Sequence, residues 1–127
     1  MRDSERTPLA VAFSADGVLL AAGDKESTIR VWNVRSGVRV HQLEGHELSV
    51  QGLAFSRNRK RLASASADGT IKLWDLATGQ DLLTLRGHGK RATAVFFAQD
   101  DTMLISLVDG DYGRGQIRVW DSTPGRR

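Results

Sequence analysis

The chain has no cysteine, only two prolines and no long apolar run among its 127 residues. Without cysteine there is no disulfide framework, no thiolate metal ligand and no thiol nucleophile. No apolar stretch approaches the ~20 residues that a membrane-spanning helix requires. The first ten residues, MRDSERTPLA, lack the apolar middle segment of a secretory signal. We therefore expect a soluble, cytoplasmic protein that does not enter a membrane.

Positively charged residues are in only slight excess over negatively charged ones, with a formal net charge of +3. The basic residues are not interleaved with aromatic ones, which the binding of single-stranded nucleic acid favours, so nucleic acid is not an expected partner. Only three histidines are present, and His41 occupies a different repeat position from His46 and His88. The sequence has no phosphate-binding loop, whose motif would end in Lys-Ser or Lys-Thr. We expect neither a metal nor a cofactor.

What the chain does have is an internal repeat. Phe13, Phe55 and Phe97 recur at intervals of 42 residues, within VAFS, LAFS and VFFA. The segments TIRVWNV, TIKLWDL and QIRVWDS also recur, and LEGH at 43–46 returns as LRGH at 85–88. Trp74 and Trp120 are 46 residues apart, so the third unit carries four extra residues, which fall within 107–115.

Within each period the local signals are those of β-structure. Short runs of Val, Ile, Leu and Phe alternate with turn residues, and no apolar stripe of helical period lasts beyond two turns. In the second unit we predict strands near 50–55, 61–65, 70–75 and 81–85. Asp68-Gly69 is typical of a tight hairpin, in which both positions can take positive φ. The sequence thus predicts an all-β meander.

A unit of about 42 residues with Gly-His near one end and Trp-Asp near the other resembles the WD repeat. That resemblance implies a β-propeller, in which each repeat forms a four-stranded antiparallel blade. It covers residues 9–121 as three blades at about 9–43, 50–85 and 92–121. Residues 1–8 and 122–127 are then polar tails. Because the third unit stops after IRVWDS, its blade is expected to lack the outer strand.

Three blades are too few for a closed ring, since known propellers use ~4–8. A partial propeller would leave an apolar sheet face bare at each end. Either further blades of a longer protein complete it, or copies oligomerise, two chains giving six blades and three giving nine.

In the WD family a Trp, a Ser or Thr, a turn Asp and the Gly-His histidine form a hydrogen-bonded network, and the second unit matches it with His46, Ser64, Asp68 and Trp74. The third unit offers His88, Ser106 and Trp120, with Asp109 or Asp111 as the acid. The first unit has Ala22 and Glu26 at these positions, so we expect no complete network there. A hydrolase could use the same residue types, but no strained G-x-S-x-G turn is present. We expect no catalytic residues.

Two sets of residues are candidates for binding a partner. The run RNRKR contributes Arg57, Arg59, Lys60 and Arg61, as a solvated loop or as a patch for an acidic partner. On the face that carries the Gly-His loops, the candidates are Lys90, Tyr112 and Arg114.

The resemblance implies a noncatalytic protein–protein interaction scaffold. One alternative is a self-assembling unit that closes a propeller from several chains. Another is a regulatory part of a larger bacterial protein such as a kinase, because RVWDSTPGRR resembles the tail of bacterial WD-repeat arrays, some of which follow kinase domains.

Overall fold

A computed structural model describes residues 7–86, 90–98, 100–109 and 114–121. In these ranges the chain forms eleven β-strands in three antiparallel sheets, which confirms the predicted all-β class. The same ranges contain no helix of the length and apolarity needed to cross a membrane.

The strands follow one another as consecutive meanders. Sheet 1 comprises β1 (Pro8–Phe13), β2 (Leu19–Asp24), β3 (Ile29–Asn33) and β4 (Arg39–Leu43). Sheet 2 comprises β5 (Val50–Phe55), β6 (Arg61–Ser66), β7 (Ile71–Asp75) and β8 (Asp81–Leu85). Sheet 3 has β9 (Ala92–Ala98), β10 (Met103–Val108) and β11 (Gln116–Asp121), and no fourth strand among the described residues.

Each sheet has two distinct sides because successive strand residues point in opposite directions. We call the side that carries Trp32, Trp74 or Trp120 the tryptophan side. The opposite side, which carries Ile29, Ile71 or Ile117, we call the isoleucine side. In sheet 2, for example, Leu62 pairs with Trp74 on the first side, and Ala63 pairs with Leu73 on the second.

The tryptophan side of each sheet packs against the isoleucine side of the sheet before it. In the first interface, the sheet 2 residues Val50, Leu62 and Trp74 meet sheet 1. Their partners on sheet 1 are Ala21, Ile29, Val31 and Leu43. In the second, the sheet 3 residues Ala92, Val95 and Leu104 meet sheet 2. Their partners on sheet 2 are Ala63, Ala65, Ile71, Leu73, Leu83 and Leu85.

Within the described ranges, two apolar sides have no neighbouring sheet. On the tryptophan side of sheet 1, Val11 and Phe13 are 64% and 61% exposed. On the isoleucine side of sheet 3, Ile117 and Val119 are 70% and 60% exposed, and Phe96 is also exposed. The partial propeller is therefore open at both ends, as the sequence predicts.

A glycine allows the first strands of sheets 2 and 3 to approach closely. A Cβ atom placed on Gly52 of β5 would lie 2.8 Å from the Cα of Ala94 in β9. Backbone atoms cannot move aside as a flexible side chain can, so only glycine fits here.

The backbone conformation of the turns is repeated from sheet to sheet, as the strands are. Gly17, Arg59 and Asp101 occupy equivalent positions in the turn after the first strand of each sheet, and all three have positive φ. In the hairpin between β6 and β7, Gly69 has φ +87°, but Asp68 is not in the left-handed region. The prediction that both residues of this hairpin could adopt positive φ is therefore wrong for Asp68. One left-handed residue is enough for this turn.

Candidate functional site

The structure brings His46, Ser64, Asp68 and Trp74 together beneath the loop that enters sheet 2. The Trp74 indole N–H donates to Ser64 Oγ over 2.9 Å. Ser64 Oγ lies 2.7 Å from His46 Nε2, and His46 Nδ1 lies 3.1 Å from Asp68 Oδ2. Because Ser64 Oγ already accepts from the indole, its own proton points to Nε2. The imidazole then carries its proton on Nδ1 and donates it to Asp68.

Further donors fix the carboxylate of Asp68. Its Oδ1 accepts the Thr70 hydroxyl over 2.5 Å and the Thr70 backbone N–H over 2.9 Å. Its Oδ2 also accepts the backbone N–H of Glu47, over 3.0 Å. The motif-based prediction missed Thr70, although the recurrence of Thr at positions 28 and 70 is a visible signal. The loop before sheet 2 is thus tied to the β6–β7 turn.

Burial and hydrogen bonding move two pKa values within this network. Burial lowers the pKa of His46 below its ordinary value of 6.5, although Asp68 opposes the shift. Burial alone would raise the pKa of Asp68. The bonds from Thr70 and Glu47, together with His46, outweigh it, so the pKa lies below 3.8. At neutral pH the network therefore consists of a neutral imidazole and an ionised carboxylate.

The order of contacts, serine to histidine to aspartate, is also that of a serine hydrolase. Here Ser64 is fully buried, with 0% of its surface exposed. Its oxygen accepts the Trp74 N–H, and the ring of Trp74 is itself buried against sheet 1. A substrate carbonyl has no path to this hydroxyl, so the arrangement satisfies buried polar groups rather than exposing a nucleophile.

The third repeat contains part of the same network. Trp120 Nε1 donates to Ser106 Oγ over 3.0 Å. His88 and Asp111 lie outside the described residues. Asp109, the other candidate for the acid, accepts a hydrogen bond from Arg91 Nε over 3.0 Å.

The first repeat replaces the network with an ion pair. Ala22 stands where sheet 2 has Ser64, so it offers no hydroxyl to Trp32. Instead Asp24 accepts from Arg30 Nη1 over 2.9 Å and from the Thr28 backbone N–H over 3.0 Å. Both Asp24 and Arg30 are buried. The sequence gives no signal that an ion pair takes the place of the hydrogen-bonded network in this repeat.

The predicted partner-binding residues fall at opposite ends of the sheets. Arg57, Arg59 and Lys60 are exposed in the β5–β6 turn, and Arg61 is half-buried as β6 begins. The other set lies by the β8–β9 and β10–β11 connections, where Lys90 and Arg114 are exposed. Tyr112 lies outside the described residues. Lys90 and Arg114 therefore cannot form one patch with the basic turn.

Contacts across the sheet boundaries occupy part of the basic turn. Arg59 Nε pairs with Asp16 of sheet 1 over 3.0 Å. The backbone N–H of Arg57 donates to both carboxylate oxygens of Asp101 in sheet 3, over 3.1 and 3.0 Å. Equivalent turns are thus linked from sheet to sheet. Among the described residues no cluster of three His, Cys, Asp or Glu side chains could hold a metal ion.

Successive antiparallel meanders, each packed by its tryptophan side on the one before, define the blades of a β-propeller. The sequence profile of the WD40 family, described as WD domain, G-beta repeat, matches residues 5–33, 37–75 and 79–121. The chain belongs to the WD40-repeat family.

Known proteins share the repeat but are longer. A probable serine/threonine-protein kinase, PkwA of Thermomonospora curvata, is 51% identical over 43 residues, which cover 34% of this chain and 6% of that protein. The WD repeat-containing protein VIP3 of Arabidopsis thaliana is 42% identical over 50 residues, covering 39% of this chain and 16% of that protein.

Among solved structures, that of U3-55K superposes with a TM-score of 0.80 at 33% identity, over 90% of this chain and 34% of that one. The WD40 repeats of RRP9 superpose with a TM-score of 0.80 at 34% identity, over 89% and 33%. The chain therefore spans about a third of these solved propellers and less than a fifth of the curated relatives.

Proposed function

We propose that the chain is a noncatalytic, cytoplasmic protein-interaction module. WD40 repeats generally mediate contacts between proteins. The observation that carries the proposal is the exposure of large apolar side chains on two sheet faces, at Val11, Phe13, Ile117 and Val119. Contiguous apolar surface of this kind is typical of a binding face. The Ser–His–Asp set, which an enzyme would expose, is buried.

Co-purification from cells that make the chain tests the scaffold role. Two surface variants probe opposite regions: Ile117→Glu with Val119→Glu on sheet 3, and Lys60→Glu in the basic turn. Lys25→Glu, in the exposed β2–β3 turn, is the control. A protein partner should appear in fixed ratio with the wild-type and control chains and be lost with one surface variant. If no protein co-purifies in fixed ratio, the scaffold role is wrong.

A fluorophosphonate probe tests the noncatalytic part directly, because it labels accessible, activated serines. We expect no labelling of Ser64, whose oxygen is buried and bonded to Trp74. Labelling that disappears in Ser64→Ala would contradict the proposal.

A second candidate is self-assembly, which the matching of the two open faces favours. At both internal interfaces, a tryptophan side packs on an isoleucine side. The exposed side of blade 1 is a tryptophan side, with Phe13, Leu20 and Trp32 in one row. The exposed side of blade 3 is an isoleucine side, with Phe96, Ile105 and Val119 in one row. One copy thus presents both halves of the interface that it already uses twice.

Two copies joined head to tail would form six blades, within the range of closed propellers, whereas three copies would exceed it. We therefore infer a dimer as the closed form. Solution mass measured by light scattering should give one species of twice the chain mass.

Complementation tests the faces. Variant A carries Val11→Glu and Phe13→Glu, and variant B carries Ile117→Glu and Val119→Glu. All four side chains are exposed, so the fold should survive, which circular dichroism checks. Each variant alone should be monomeric, and an equimolar mixture should form a dimer through the one intact pair of faces. A monomeric wild-type chain at tens of micromolar, or a mixture that does not associate, would contradict self-assembly.

A regulatory role within a larger protein is a third form of the proposal. The 43-residue match to PkwA supports it. Further blades of the same polypeptide would then cover the open faces, and the chain alone would be monomeric in the mass measurement.

A further inference from the structure

A groove of about 560 Å³ lies between blades 1 and 2, at the end that carries the basic turn. Leu19 and Val40 of blade 1 and Leu76 and Ala77 of blade 2 line it. Arg59 and Lys60 lie at the same groove. Apolar walls thus meet two cations at one opening, at the opposite end of the sheets from the Trp–Ser–His–Asp network.

Contacts between the blades fix the shape of this groove. His41 Nε2 donates to the backbone carbonyl of Leu76 over 2.6 Å, which ties the two walls together. Within blade 2, the Leu76 N–H donates to the carbonyl of Lys60 over 2.9 Å and fixes the second wall. Arg59 is held by Asp16 over 3.0 Å. Because both walls are held by hydrogen bonds, a ligand would meet a preformed site and lose little free energy in ordering it.

The cations differ in what they can still bind. The guanidinium of Arg59 already shares its charge with Asp16, whereas the ammonium group of Lys60 pairs with nothing in the described part of the chain. Lys60 is exposed and is one of the residues that line the groove. A carboxylate arriving at the groove would find an unpaired positive charge within reach.

The carboxylate of Asp75 indicates that the groove would bind a peptide rather than a small anion. This carboxylate also lines the groove and accepts the Ala77 backbone N–H through Oδ1 over 2.8 Å. It would repel a small anion that filled the groove. It would accept a backbone N–H, however, and a peptide supplies N–H groups, carboxylates and apolar side chains together.

We propose that the groove binds a short acidic peptide segment of a partner protein. Its apolar side chains pack on Leu19, Val40 and Leu76, and a carboxylate pairs with Lys60. This site rests on the proposed role as an interaction module and names the class of ligand. It refines the basic patch of the sequence analysis, because Arg57 faces Asp101 through its backbone and does not line the groove.

Fluorescence polarisation with the full chain tests the groove. The probe is a fluorescein-labelled hexapeptide of alternating glutamate and leucine. The same peptide with glutamine for glutamate, and an all-glutamate hexapeptide, are the comparison probes. We expect the alternating peptide to bind most tightly, because only it offers both charge and apolar surface.

Variants locate the binding. Lys60→Glu should weaken binding by roughly tenfold, as expected for reversing one partly exposed charge. Ala77→Trp should fill the groove and abolish binding. Lys25→Glu makes the same change of charge in the β2–β3 turn, at the other end of the sheets, and should leave the affinity unchanged.

Several results would overturn the groove. These are no binding of the alternating peptide, equal binding of the all-glutamate peptide, equal loss in Lys25→Glu, or full binding by Ala77→Trp. A partner that co-purifies with the chain but is indifferent to Lys60→Glu and Ala77→Trp would overturn the groove while leaving the interaction module intact. If no partner co-purifies but the chain still binds the peptide, the interaction module would be overturned and the peptide-binding groove would stand.

Discussion

At the scale of single residues, the three tryptophans share a repeat position but not an environment. Trp74 is 2% exposed and bonded to Ser64, whereas Trp32 is half-buried on an uncovered side and faces Ala22 instead of a hydroxyl. Trp74→Ala should lower the free energy of unfolding by about 3–5 kcal/mol, through the lost burial and the cavity. Trp32→Ala should cost only about 1 kcal/mol. Urea unfolding measures both, and equal losses would contradict the packing described here.

The acid of the network is expected to contribute less than the tryptophan. Asp68→Ala leaves the His46 Nδ1–H and the Glu47 N–H without their acceptor. The cost should be on the order of 1–3 kcal/mol, because water can reach part of this turn. Asp75→Ala, which removes only a turn bond to Ala77, is the matched control and should cost less. A negligible effect of Asp68→Ala in urea unfolding would argue against the network as a stabilising element.

Protonation of His46 should make the fold sensitive to mild acid. Because its folded pKa lies below 6.5, the unfolded chain binds more protons as the pH falls through that value, and stability is lost. The lowered pKa of Asp68 adds a second loss below about pH 3.8. The melting temperature should fall between about pH 8 and about pH 5. His46→Gln should shrink this fall. An unchanged fall in His46→Gln would contradict the assignment.

At the scale of elements, the turns after the first strands join the blades. Asp101 is buried and accepts the Arg57 N–H with both oxygens, while its neighbour Asp100 is exposed. Both residues have positive φ, so alanine introduces similar backbone strain at either position. Asp101→Ala should therefore destabilise the chain by about 1–2 kcal/mol more than Asp100→Ala. Thermal unfolding of the two variants provides the comparison, and identical melting would show that this link contributes nothing.

The elements themselves could be predicted from the sequence because their signals are local. The strands of blade 2 lie within one residue of the predicted ranges, since alternation and turn residues are read within a few positions of each other. Contacts between blades could not be predicted in this way. The bond from His41 to the Leu76 carbonyl joins residues 35 apart in sequence. It depends on how two sheets are placed, which no spacing encodes. The same holds for Arg57 with Asp101 and for the groove.

For the hydrogen-bonded network, too, the residues of the motif could be predicted from the sequence and the other contacts could not. Its four members in blade 2 follow from a spacing that the family motif supplies. Thr70 is marked only by the recurrence of threonine at positions 28 and 70, and the buried Asp24–Arg30 pair has no sequence signal. Asp24 occupies the repeat position that Ser66 holds in blade 2. The alignment of the repeats therefore identifies the position but does not predict that a carboxylate there pairs with Arg30.

At the scale of the whole molecule, blade 2 alone has a sheet packed on each side. Hydrogen exchange should reflect this, because an amide exchanges only when its local structure opens, and opening is easiest where few apolar contacts are lost. In dilute chain the amides of β6 and β7, where Leu62, Ala63 and Leu73 are at most 1% exposed, should exchange slowest. The amides of β1 and β11 should exchange fastest.

Raising the concentration separates the two accounts of the open faces. If copies pack head to tail, β1 and β11 become protected together, because Phe13 and Val119 would lie in the same new interface. Blade 2 would change little, since both of its sides are covered already. Protection of β11 without β1 cannot arise from a head-to-tail ring and would leave a different partner surface as the explanation. Mass spectrometry of deuterium uptake at low and high chain concentration, with variant B as the non-assembling control, makes this measurement.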